Sequence, residues 1–153
     1  MMARTILAVT LTVIIASTTH AAEADAKKAM IMLTHWQCYT WASMHDNTAA
    51  VERHFVAGLE AGNVFMDAAI AGMITPEEAR ANVPVMVSLT MQGPTKDFIL
   101  GRLFESIQGD AYDEITAENE IGLPLNPADY ITDDELIDVK ARTRYDRANC
   151  TLL

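Results

Sequence analysis

Cysteine occurs only at Cys38 and Cys150 in the 153-residue chain, and a bond between those two positions would constrain everything in between. It would close a loop across 112 positions and staple the C-terminus to an early element. On the chain-entropy argument, an unstrained crosslink of that span stabilises the fold by roughly 4 to 5 kcal/mol. Whether it forms depends on the compartment, and the N-terminus bears on that.

Met1 to Ala21 carries one positive charge, Arg4, and no charge follows until Glu23. The apolar heart from Ile6 to Ala16 falls short of the roughly 20 residues that span a bilayer, and Ser17, Thr18, Thr19 and His20 close it. Thr19-His20-Ala21 places small residues at the first and third positions before a cleavage point. Residues 1–21 therefore read as a signal peptide cleaved after Ala21, and residues 22–153 as an exported helical domain. No stable membrane anchor is expected after cleavage. The localisation is periplasmic or secreted, where an even cysteine pair is expected as a disulfide rather than as two thiols.

Without Arg4 the chain has 10 basic residues against 21 acidic ones, so its charge becomes −11 where the whole chain has −10. That balance excludes a nucleic-acid binder, which draws most of its affinity from cations on phosphates. Half of the residues are apolar, too many for a disordered acidic tail, and the length suits one domain.

The periodicity of the remaining chain is helical almost throughout. A first helix is expected from about Ala26 to Met44, and Asp46-Asn47-Thr48 supplies turn and capping residues. A second should run from about Ala49 to Gly72. In it Val51, Phe55, Gly58, Gly62, Phe65 and Ala69 recur at steps of three and four. Thr75-Pro76-Glu77-Glu78 is a capping box with proline at the first helical position, opening a short helix that ends before Val83-Pro84. From Pro84 to Met91, Val85, Val87, Leu89 and Met91 alternate as in a strand, yet Pro84 also suits a short helix. The lack of a pairing partner favours helix. A long helix is expected from Lys96 to about Glu118, then a connection rich in Gly, Pro and Asn over 121–131. Thr132-Asp133-Asp134-Glu135 opens a last helix to about Arg147, acidic at its start and basic at its end. The fold class is all-α: a single compact bundle of about four to six helices closed by one disulfide.

Motifs for chemistry are missing. There is no Gly-rich phosphate loop, no Gly-x-Ser-x-Gly elbow and no His-Glu-x-x-His helix, so no cofactor and no catalytic residues are assigned. His35 precedes Cys38 by one helical turn, but a Cys38 nucleophile requires a free thiol. His35, His45 and His54 lack the spacing that puts two metal ligands on one helical face. Met30-Ile31-Met32 beside His35 has the softness of a Cu(I) set, whereas most methionines sit among Val, Ile and Leu as core fillers. No metal site is assigned.

Two features point to binding. Gly58 and Gly62 lie one turn apart on an apolar face, where they permit close helix packing or form a shallow slot for a ligand. In His35-Trp36-Gln37-Cys38-Tyr39-Thr40-Trp41, Trp36 and Trp41 lie roughly 140° apart around a helix. Either several neighbours surround that helix or one ring is an exposed anchor. The candidate binding slot is thus Gly58, Gly62, Trp36, Trp41 and His35. The leading expectation is an exported non-catalytic binding protein whose acidic surface meets a basic envelope protein, as an inhibitor, immunity or accessory factor. A small-ligand or chaperone-like binder using the slot is the alternative, and a thiol-dependent enzyme ranks last.

Overall fold

A computed structural model describes residues 7–119 and 121–153, with side chains from residue 21 onward. All of the expected signal peptide but Ala21 lies outside the residues described to that level. The described residues form six α-helices: α1 (Leu7–Ser43), α2 (Thr48–Ile70), α3 (Pro76–Asn82), α4 (Val85–Thr90), α5 (Lys96–Thr116) and α6 (Asp134–Arg147). Short 3-10 turns lie at Pro127–Asp129, between α5 and α6, and at Cys150–Leu152, after α6. The described residues contain no strand, only one bridge between Glu118 and Pro124. Among them, no helix is long and apolar enough to cross a membrane.

α1 begins well before the expected Ala26, because Ala21-Ala22-Glu23-Ala24-Asp25 contains no breaker and alanine favours helix above all other residues. Asp46, in the left-handed region at φ 55°, reverses the chain after α1. Asn47 caps α2 by accepting from the Ala50 amide. Gly72, at φ +68°, follows the end of α2 in a conformation that costs glycine little. The capping box of α3 forms as expected: Thr75 accepts from the Glu78 amide and the Glu78 carboxylate accepts from the Thr75 amide. The ambiguous segment is helical as α4.

α5 stops at Thr116, two residues before the expected end, because the next backbone groups bond to the connection instead. The Leu125 amide donates to the Ala117 carbonyl, and the Ile131 amide to that of Thr116. α6 is capped by Asp133 rather than Thr132, since the Asp133 carboxylate takes the Leu136 amide at 2.8 Å.

α1 is the central element, packing along α2 and also against α3, α5 and α6. Its length serves two apolar cores. In the first, Met32 and Trp36 meet Phe65 and Met66 of α2, Val87 of α4, and Leu100, Leu103 and Ile107 of α5. In the second, Cys38, Trp41 and Ala42 meet Ala50, Ala111, Ile115, Tyr145 and Cys150.

Candidate functional site

Cys38 and Cys150 are bonded, with Cα atoms 5.8 Å apart, and both side chains are fully buried. Asn149 takes the left-handed conformation at φ 54°, a region that Asn tolerates, and leads into the final 3-10 turn that begins at Cys150. With its sulfur bonded to Cys150, Cys38 is no nucleophile in this form, although His35 stands one turn away.

Both tryptophans are interior. Trp36 is 1% exposed and Trp41 5%, so α1 has neighbours on several sides. The Trp41 indole N–H donates to the Ala111 carbonyl at 3.2 Å, and that of Trp36 reaches the Phe55 carbonyl at 3.4 Å. The space over the glycines is filled by the chain itself. A Cβ on Gly58 would fall 2.4 Å from Trp36 Nε1, and one on Gly62 would fall 2.8 Å from Met32 Sδ and 2.9 Å from Leu100 Cδ2. Gly58 and Gly62 thereby bring α2 into close packing with α1 and α5.

His35 belongs to a different group. Its Nδ1 lies 2.9 Å from Nδ1 of His54, which is fully buried. On the other side of that ring, His54 Nε2 is 3.2 Å from both the Tyr145 hydroxyl and Arg53 Nη2. Arg53 Nη2 also donates to the Tyr145 hydroxyl at 3.0 Å and to the Cys150 carbonyl at 3.3 Å. The T-shaped contact of His45 with the Tyr145 ring, at 5.2 Å between centroids, backs the cluster. Four chain segments, α1, α2, α6 and the final turn, are joined here.

The donors assign the protons. A guanidinium only donates, and with the two hydrogens of Arg53 Nη2 shared among three acceptors we assign His54 Nε2 as one of them. The His54 proton then sits on Nδ1 and is donated to His35 Nδ1, which leaves the His35 proton on Nε2. Both rings are neutral in this arrangement, and the electrostatics agree. Burial, the Arg53 charge and His35 together push the His54 pKa down to about 4 from 6.5. Burial and then Arg53 lower that of His35. No carboxylate is bonded to either imidazole among the described residues, and no group of three or more His, Cys, Asp or Glu is placed to hold a metal ion. The cluster has the chemistry of a fastening.

The surface is different in kind. None of the described Asp and Glu residues is buried. A shallow depression of about 430 Å³ lies between the end of α1 and the outer face of α5, lined by Thr40, Ser43, Met44, Glu105, Gln108 and Tyr112. Tyr112 is 50% exposed, with exposed Asp110 and Asp113 beside it in sequence.

Spacing along one helix carries no sign of His54, Arg53 or Tyr145 as partners of His35. Two antiparallel helices joined by a short turn pair residues at similar distances from that turn, and His35 and His54 lie nine positions before and seven after residues 44–47. Nothing in the sequence points to Tyr145, which lies 91 positions from His54.

The fold and these contacts define a disulfide-closed helical domain with a polar cluster set into its second core. No family model, curated protein or solved structure matches the chain.

Proposed function

We propose that the protein is an exported, non-catalytic binding protein whose acidic surface engages a basic partner in the cell envelope, as an inhibitor, immunity or accessory factor. The observation that carries this reading is the placement of charge: the chain is at −10, and every described carboxylate reaches solvent. A field of that sign speeds association with a cationic protein, and salt weakens it.

The depression around Tyr112 is the favoured contact. A half-exposed tyrosine lining the same depression as Glu105 suits a lysine or arginine, which would lie against the ring while pairing with that carboxylate. Export is supported by the disulfide, a bond characteristic of oxidising compartments, and by the expected signal peptide.

Affinity capture from an envelope fraction with residues 22–153 at low and high salt tests the reading. A basic protein should be retained at low salt and released at high salt, and Tyr112→Ala should weaken retention. Salt-insensitive capture, or recovery of acidic proteins alone, would overturn it.

A further inference from the structure

α6 is poorly held by apolar packing. It buries only Ala141 and Tyr145 fully, while Leu136 and Val139 are exposed. Its ion pair with α5, Arg144 to Glu114, joins partly exposed side chains and is of the kind that contributes little. What holds its C-terminal half on the α1–α2 pair is the disulfide just beyond it and the hydrogen bonds of Tyr145.

We propose that the His35–His54–Arg53–Tyr145 cluster is an acid-operated latch, whose protonation releases α6 from α1 and α2 while the Cys38–Cys150 bond keeps it tethered.

The groups facing His54 are His35 from α1, Arg53 from its own helix and Tyr145 from α6. The Cys150 carbonyl is tied in through Arg53, and His45 of the α1–α2 turn, whose Nδ1 bonds to the Trp41 carbonyl, contacts the Tyr145 ring. None of these supplies a negative charge. A solvent proton reaches half-buried His35 first. On Nδ1 it would set that N–H against the His54 Nδ1–H across 2.9 Å, donor against donor. His54 relieves the conflict by moving its own proton to Nε2, which turns the Tyr145 hydroxyl from donor to acceptor and opposes the Arg53 N–H. Either route leaves a cation beside Arg53 with no carboxylate to offset it: the first breaks the His35–His54 bond between α1 and α2, and the second sets the His54 Nε2–H against the Arg53 group that holds Tyr145 and the Cys150 carbonyl. An opened α6 takes Tyr145 away from Trp41, Ala111 and Ile115, uncovering apolar surface in the second core.

Hydrogen exchange on the oxidised protein, from about pH 7.5 to about pH 4.5 and corrected for intrinsic rates, reads the opening directly. Protection across residues 134–147 should fall with a midpoint between pH 6.5 and about 4, while residues 96–107 keep theirs. The loss should approach about tenfold for each pH unit over which opened and closed states differ by one proton. NMR of the imidazoles should show His54 as the Nδ1–H and His35 as the Nε2–H tautomer at neutral pH, and both rings should titrate together with the opening. A His35→Gln/His54→Gln double variant, whose amides cannot take up a proton, should lose the acid step. The latch is overturned if the imidazoles protonate while α6 stays protected, or if the double variant opens at the wild-type midpoint. Should that variant fail to fold, the wild-type comparison of imidazole titration with α6 exchange decides alone.

Discussion

The two cores lie along the same helix and are held by different physics. The first, around Met32, Trp36, Phe65 and Leu103, is apolar and draws on α1, α2, α4 and α5. It contains no covalent link, and its stability scales with the apolar area removed from water. The second holds fewer large side chains and takes its last wall from α6, a helix with little apolar face. There a disulfide and a hydrogen-bonded cluster do what packing does in the first. Non-directional burial answers to temperature and co-solvent, whereas the fastened core answers in addition to the redox state and pH of its surroundings.

That contrast breaks most sharply at the crosslink. Cys150→Ser, or reduction of the bond, should cost roughly 4 to 5 kcal/mol, and the loss should begin at α6 and spare the first core. A urea transition together with exchange over residues 134–147 measures both. Phe65→Ala attacks the other region: truncating this fully buried ring should cost about 3 to 5 kcal/mol, and thermal unfolding should show no dependence of that loss on reductant. Acid comes next. The folded His54 pKa is below its ordinary value, so between pH 6.5 and about 4 the unfolded chain binds a proton that the fold refuses. Stability therefore falls as pH drops through that window, by about 3 kcal/mol in all, and urea midpoints across the window should trace it. The smallest effect belongs to a cap outside both cores: Thr75→Ala should cost about 1 kcal/mol and leave the acid response untouched, as a pH series of melting temperatures would show.

Much of the first core could be read in advance. Phe65, Leu100, Leu103 and Ile107 fall on helical stripes, and Thr75-Pro76-Glu77-Glu78 marks a helix start through contacts that span three residues. Local signals of this kind survive in any fold. Close packing at Gly58 and Gly62 was one of the two expectations for that face of α2, and Gly58 receives Trp36 from α1 while Gly62 receives Leu100 from α5. The polar cluster was legible only in part. His35 and His54 could be paired by their distance from a turn, but Arg53 and Tyr145 join them through the placement of α6, which little in its weakly amphipathic sequence dictates. The helix boundaries that moved had separate causes: one hydrogen bond sets Asp133 over Thr132, the connection takes the carbonyls that end α5, and no breaker stops α1 before Ala26.

By itself, then, the sequence determined the helical class, the turn positions, the acidic balance and the partnership of two cysteines, because each depends on composition or on residues a few positions apart. Only the tertiary structure decided that both tryptophans are interior, that side chains of the chain fill the space over Gly58 and Gly62, and that two neutral imidazoles meet between an arginine and a tyrosine. Those outcomes depend on how whole helices are set against one another, and a hydrogen bond between residues 91 positions apart leaves no local trace.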